Sequence, residues 1–133
     1  MKNILIDSNI LLDILTEDLH WFEWSAGQLE FLAEHRILRI NPIIYSEISI
    51  GFDRIEDLDK ALPSEIVRTP LPWEAAFLAG KVFVQYRRNG GIKTHHLPDF
   101  FIGAHAAVSG MALLTRDVAR YKTYFPRLEL IHP

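Results

Sequence analysis

Short, mostly apolar runs that lead into helix-starting residues recur along this chain, and they restrict its fold more than any other feature. Such runs occupy 3–6, 37–40 and 111–114. Each is followed within three residues by a side chain that favours a helix N-terminus: Asp7, Asn41 and Asp117. Alternating buried strands and helices are typical of α/β proteins. We expect residues 1–133 to form a single three-layer α/β/α domain with a mainly parallel sheet of about five strands.

Four acidic side chains fall where a predicted strand gives way to a helix, or on the inward side of a helix: Asp7, Glu47, Asp99 and Asp117. Ligands of open parallel sheets bind outside the carboxyl ends of the strands, so these positions are expected to converge on one crevice. At an effective dielectric constant near 20, two carboxylates ~5 Å apart repel by about 3 kcal/mol. Such a pocket would take up protons or hold divalent cations, and its oxygen ligands favour Mg²⁺ or Mn²⁺.

Each of the acids also has a simpler explanation when it is considered alone. Glu47 shares a helix face with Ile44 and Ile48, which predicts a carboxylate on the side that packs inward. Asp99 lies in a first helical turn, where the helix dipole alone favours a negative charge. Asp117 has the position of an ordinary N-cap. The prediction of a shared site depends on the four acids together.

The ordered set of motifs resembles the PIN domain and, more narrowly, the VapC-type toxins of toxin–antitoxin pairs. The motifs are Asp7-Ser8-Asn9-Ile10-Leu11, Glu47, Pro98-Asp99 and Thr115-Arg116-Asp117. The resemblance extends from the N-terminus to a predicted closing strand at 128–131. It implies an endoribonuclease that hydrolyses RNA phosphodiester bonds, with the four acids around one or two Mg²⁺ or Mn²⁺ ions. By the same resemblance, Asn9 and Thr115 orient these ligands or a bound water.

One position departs from the pattern of this family. Many relatives carry Asn where this chain has Asp117, and an acid three residues later, where this chain has Arg120. The fourth acid has therefore been moved or replaced. The resemblance leaves the second metal position undefined.

The charge of the chain is unusual for a protein that binds RNA, because its formal net charge is −3. The net charge of the remaining residues is slightly positive when the four proposed metal ligands are left out of the count. The cations expected to line an RNA path are Arg87, Arg88, Lys93, His95, His96, Arg116, Arg120 and Lys122. Among them Arg116 is predicted to contact the substrate, although solvated cations at helix ends are the simpler explanation for the group.

A second apolar stripe on the predicted helix 21–35 indicates a partner surface. Trp24 and Phe31 lie on this stripe, and Trp21 precedes them. The alternative is that the stripe packs inside the domain. The family resemblance implies a cognate VapB-like antitoxin and a homodimer, and we predict an interface that includes these three aromatic residues.

Composition excludes several other classes of protein. The chain has no cysteine, so disulfide frameworks and thiolate zinc sites are excluded. Hydrophobic residues make up 49% of it, enough for one compact domain. No stretch has the length of a membrane span or of a signal-peptide core, so we expect a cytoplasmic protein without membrane contact.

Two rival functions follow from the same residues. The first is a phosphatase or dehalogenase-like hydrolase in which Asp7 acts as nucleophile, but the acid that such phosphatases carry two residues later is Asn9 here. The second is a non-catalytic PIN module that binds a partner. The complete set of four acids favours the nuclease over both.

Overall fold

The structure, a computed structural model, describes residues 2–92 and 96–133 and is organised around one parallel sheet. Its strands are β1 (Ile4–Ile6), β2 (Leu38–Ile40), β3 (Val67–Arg68), β4 (Ala112–Leu114) and β5 (Leu130–Ile131). They lie in the order β3-β2-β1-β4-β5, and every neighbouring pair is parallel. The predicted sheet of about five mainly parallel strands is confirmed.

Helices connect the strands, because parallel strands need a crossover connection. They are α1 (Ser8–Leu15), α2 (Phe22–Ala33), α3 (Pro42–Ser49), α4 (Ile55–Ala61), α5 (Trp73–Arg88), α6 (Leu97–Val108) and α7 (Val118–Tyr124). The strands and helices together form the three-layer α/β/α arrangement that the sequence predicts. Among the described residues, no helix is both long and apolar enough to cross a membrane.

The central strand β1 and its neighbour β4 explain why the acids come together. β1 and β4 pair in register, with Ile4 opposite Ala112 and Ile6 opposite Leu114, and all of their residues are buried. Near-continuous apolar runs of this kind are typical of a sheet covered on both faces. The backbone N–H of Asp7 donates to the carbonyl of Leu114 at 2.9 Å. The residues that follow the two strands therefore emerge side by side at one edge of the sheet.

Side-chain caps fix where three of the helices begin. The carboxylate of Asp7 accepts a hydrogen bond from the N–H of Ser8 at 2.8 Å. Asn41 Oδ1 accepts from the N–H of Ile44 at 2.9 Å at the start of α3, and Asp117 caps α7. Caps of this kind satisfy N–H groups that have no partner within the helix. The acids at positions 7 and 117 are thus held by the helices they start.

The close packing of α6 depends on a small residue. A Cβ atom added to Gly103 would lie 2.5 Å from the ring of Phe125, which is itself buried. A larger side chain there would push α6 away from that ring. Asp99 lies one turn earlier on α6, so this contact also helps to fix the position of its carboxylate in the site.

Candidate active site

An acidic cavity of about 420 Å³ opens beside the carboxyl ends of β1 and β4. Asp7, Glu47, Asp99 and Asp117 all line it, so the structure brings the four predicted acids to one place. They come from four different elements: the end of β1, the middle of α3, the first turn of α6 and the cap of α7. This is the edge of a parallel sheet at which ligands bind.

Asp7 is the most buried of the four acids, with 2% of its surface exposed. Its Oδ2 accepts hydrogen bonds from Thr115 Oγ1 at 2.8 Å, Tyr121 OH at 3.0 Å and Asn9 Nδ2 at 3.2 Å. Burial raises the pKa of Asp7 to about 6, the hydrogen bonds from Thr115 and Tyr121 oppose this rise, and the nearby charge of Asp99 adds to it. The carboxylate is held in place by neutral donors.

Glu47 is half-buried and faces Asp7 through a shared hydroxyl group. Ser8 Oγ donates to Glu47 Oε1 at 2.9 Å and lies 3.5 Å from Asp7 Oδ1. Burial raises the pKa of Glu47, the hydrogen bond from Ser8 lowers it, and the charges of Asp7 and Asp99 raise it further. The two carboxylates are close enough to influence each other electrostatically.

Asp99 and Asp117 have a positively charged partner instead. Arg120 Nη1 lies 2.5 Å from Asp99 Oδ2, and Arg120 Nε lies 3.3 Å from Asp117 Oδ2. The second oxygen of Asp99 is 3.4 Å from Tyr121 OH. Burial lowers the pKa of Arg120, but the charges of both carboxylates and the hydrogen bond to Asp99 raise it overall. Arg120 thus pairs with two of the four acids, and its single positive charge offsets one of their two negative charges.

Asn9 and Thr115, the two predicted supporting residues, both contact Asp7. Thr115 is fully buried and also accepts hydrogen bonds from the N–H of Asp117 at 3.0 Å and from Asn9 Nδ2 at 3.3 Å. Its hydroxyl therefore connects the ends of β1 and β4. This geometry fits the orienting role that the family resemblance implies for both residues.

Arg116, the predicted substrate contact, lines the cavity but is largely engaged by the protein. Its Nε and Nη2 donate to the two oxygens of Asp13 at 2.8 and 2.9 Å. Asp13 is buried and also accepts from Ser25 Oγ at 2.7 Å. The guanidinium group lies 4.9 Å from the ring centre of Trp21. A bidentate pair stacked on an aromatic ring fixes this side chain at the rim.

The three residues predicted to bind a partner differ in exposure. Trp21 and Trp24 form an edge-to-face pair with ring centres 6.1 Å apart, and Trp24 packs against the core. Phe31, by contrast, has 65% of its surface exposed. Two of the cations expected along an RNA path, Lys93 and His95, lie outside the described residues.

Arg120, which was expected among the cations along the RNA path, pairs with Asp99. Sequence reasoning missed three further residues of this site: Ser8 and Tyr121, which donate to the acids, and Asp13, which pairs with Arg116. One of them carried a usable signal. Asp13 interrupts the apolar sequence of α1, so an acid there needs a buried partner. Nothing in the local sequence of α7 indicates that the hydroxyl of Tyr121 reaches across to β1.

The cavity has the right donors for a hard divalent ion, since Mg²⁺ and Mn²⁺ prefer carboxylate oxygens. Asp7 and Glu47 form no ion pair with any described residue, so their charge is open to such an ion. Nevertheless, within 2–92 and 96–133 no three acidic or histidine side chains lie close enough together to hold a metal ion. An ion shared by Asp7, Glu47 and Asp99 would require these side chains to close in, with Asp99 exchanging Arg120 for the ion.

The chain belongs to the PIN-domain family, because the model of the PIN domain matches residues 4–126. Members of this family are generally nucleases. No curated protein matches the chain.

Chains in several solved toxin–antitoxin complexes share the fold. The crystal structure of VapBC2 from Rickettsia felis bound to a promoter DNA fragment matches with a TM-score of 0.76 and 20% identity, over 98% of both chains. DNA-bound VapBC from Salmonella typhimurium matches with a TM-score of 0.74 and 15% identity, over 99% of this chain and 98% of the other. VapBC-1 from nontypeable Haemophilus influenzae matches with a TM-score of 0.72 and 18% identity, over 97% of this chain and 96% of the other. At these identities the likeness defines the fold.

Proposed function

We propose that this protein is a Mg²⁺- or Mn²⁺-dependent endoribonuclease and the toxin of a VapBC-type toxin–antitoxin pair, acting on RNA in the cytoplasm. One observation carries the proposal: Asp7, Glu47, Asp99 and Asp117 line a single cavity at the carboxyl ends of parallel strands. A bound ion would activate the attacking water and stabilise the charge that develops on the phosphate.

The residues around the cavity have separate tasks in this proposal. Asp7, Glu47 and Asp99 would hold the ion, and Asp117 lines the same cavity beside Arg120. Thr115 and Tyr121 keep the Asp7 carboxylate fixed, so little reorganisation is needed when substrate arrives. Arg120 has a guanidinium group in the cavity and can contact the non-bridging oxygens of a phosphodiester. RNA would therefore enter along the side of α7.

The two rival functions have less support from the contacts of Asp7. Asn9 donates to Asp7 and cannot act as the acid of a phosphatase. A non-catalytic module would have no need for two buried or half-buried carboxylates without a cationic partner.

We propose an antitoxin partner because the fold is similar to that of chains in VapBC complexes. Phe31 offers an exposed apolar anchor on α2, on the same face of the helix as Trp24 and two turns beyond it. We extend the proposal to a homodimer, as expected for this type of toxin. Substitution Phe31→Glu should weaken binding of a VapB-like antitoxin at least tenfold and leave RNA cleavage unchanged, measured by titration with the purified partner.

RNA cleavage with added Mn²⁺ tests the enzymatic proposal. The wild type should cleave single-stranded RNA, and Asp7→Asn and Asp99→Asn should each lose most of this activity while remaining folded. Asp57→Asn, an exposed acid on α4, is the matched control and should cleave normally. Equal activity in all four proteins would refute the mechanism. Hydrolysis of small phosphomonoesters through a trapped acyl-phosphate would favour the phosphatase, and antitoxin binding without any cleavage would favour the partner module.

A further inference from the structure

A second cavity, of about 360 Å³, adjoins the acidic one and shares Asp117 and Arg120 with it. We call it the aromatic cavity. Its remaining walls are mostly ring side chains from three helices: Tyr86 of α5, His96 and Phe100 at the start of α6, and Tyr124 of α7. Its size lies within the range of sites that bind small ligands or parts of larger ones.

The rings around this cavity are held at angles to one another. Tyr86 meets His96, Phe100 and Tyr124 at 5.3, 5.6 and 6.2 Å between ring centres, with interplanar angles of 85°, 63° and 74°. Phe100 and Tyr124 are also edge-to-face, at 5.3 Å and 64°. In such a cluster the flat faces are not stacked on each other. Phe100 is buried, whereas Tyr124 is only partly buried and can present its ring to a flat group in the cavity.

Arg120 connects the aromatic cavity to the acidic cavity. Its guanidinium group pairs with Asp99 in the acidic cavity and also lines the aromatic one. A ligand that spans both cavities would place a negative charge near the guanidinium and a flat, mostly apolar group among the rings. A nucleotide has these two parts, a phosphate and a base, joined by one sugar.

We propose that the aromatic cavity binds one unstacked nucleobase of single-stranded RNA, next to the phosphate that enters the acidic cavity. The inference rests on the proposed nuclease function and adds how the substrate must be presented. Stacking on aromatic side chains suits any base, because every base has a π-face. A base within a duplex cannot enter such a cavity without leaving its stack. Cleavage is therefore confined to unpaired positions.

The aromatic side chain of Tyr124 provides the most direct test. Binding is measured with single-stranded oligoribonucleotides in the Asp7→Asn background, which prevents cleavage, and each oligonucleotide lacks the base at one position in turn. Loss of one particular base should weaken binding roughly tenfold. Tyr124→Leu should weaken binding of the intact oligonucleotide by a similar factor. The two losses should not add, because they remove the same contact.

Two control variants distinguish base stacking from a general loss of structure. Tyr124→Phe retains the ring and should bind like the parent protein. Phe77→Leu removes an exposed aromatic residue from α5 that does not line the cavity, and it should have no effect. Thermal unfolding of all variants should show that Tyr124→Leu is folded at the assay temperature. A 2-aminopurine at the sensitive position should be quenched on binding to the parent and not to Tyr124→Leu.

The failure of this inference can be told apart from the failure of the proposed function. In one outcome, the wild type cleaves RNA while the loss of each base weakens binding to Tyr124→Leu as much as binding to its parent. That result would refute the base site and leave the nuclease proposal intact. Cleavage of fully paired RNA at the rate of single-stranded RNA would also refute the base site. If the wild type neither binds nor cleaves RNA with Mn²⁺, both proposals fail.

Discussion

The acidic cavity has two halves that stabilise their carboxylates in different ways. In the neutral-donor half, Asp7 and Glu47 accept hydrogen bonds from uncharged side chains and have no ion-pair partner among the described residues. In the arginine half, Asp99 and Asp117 share the guanidinium group of Arg120. Hydrogen bonds orient a buried carboxylate but leave its charge in place, whereas an ion pair cancels it. In the proposed function, the neutral-donor half is therefore the part of the site expected to bind the metal ion.

The largest expected effect separates Asp7, in the neutral-donor half, from Asp117, in the arginine half. Asp7→Asn should reduce RNA cleavage with Mn²⁺ roughly 100- to 1,000-fold, the usual loss when one main electrostatic contact of an active site is removed. Asp117→Asn should lose much less, because Asp117 is partly exposed and already paired. Asn is also a good N-cap, so both variants keep their helix starts. Equal losses in the two variants would contradict the comparison.

The second prediction concerns the pH dependence of stability in metal-free protein. The pKa of Asp7 is about 6 in the folded state, above the 3.8 of an ordinary aspartate. The folded protein therefore holds a proton that the unfolded chain releases between about pH 4 and pH 6. Stability from this group is fully present below pH 4 and is lost as the pH rises through 6, by roughly 3 kcal/mol in total.

The Asp7→Asn variant isolates this contribution from the other acids. The free energy of unfolding of both proteins is measured by urea denaturation in chelator from pH 4 to pH 7. The difference, variant minus wild type, should increase as the pH rises. Because other carboxylates titrate in both proteins, only the difference between the two curves is interpreted. A constant difference across this range would show that Asp7 is not destabilised by burial.

The third prediction tests the neutral donors themselves. Thr115→Val keeps the shape of the side chain but removes the hydroxyl that donates to Asp7 Oδ2 and accepts from the N–H of Asp117. Loss of such an orienting contact typically lowers metal affinity or activity 10- to 100-fold. Thr115→Ser retains the hydroxyl and should remain within a few-fold of the wild type. Mn²⁺ titration by calorimetry and RNA cleavage rates should both follow this order.

Much of the site follows from the sequence because it depends on local signals and on topology. Caps such as Asp7 and Asn41 act on the next few residues, and parallel strands necessarily place their carboxyl ends at one edge. Helix α5 (Trp73–Arg88) forms for the same local reason, since its apolar residues recur with helical spacing.

The partners of the charged side chains do not follow from such signals. The pairing of Arg120 with Asp99 joins residues 21 positions apart and depends on how α7 is rotated against α6. The bond from Tyr121 to Asp7 spans 114 positions. Arg116 was predicted to contact substrate, yet its position beside Asp13 is set by the packing of α1. Side-chain pairing across elements is a property of the packed fold, and no short pattern encodes it.

The smallest expected effect concerns the arginine half and determines whether its cation competes with a metal ion. Arg120→Ala leaves Asp99 and Asp117 without their ion pair, so the cavity becomes more negative. Mn²⁺ should then bind about tenfold more tightly, since the partly exposed ion pair is worth little more than 1 kcal/mol. Arg54→Ala, which removes an exposed arginine that pairs with Glu56 on α4, is the matched control and should not change Mn²⁺ affinity. Weaker Mn²⁺ binding in Arg120→Ala would mean that the guanidinium group supports the ion, for example by holding Asp99 in the ligating position, and the two halves would then act as one.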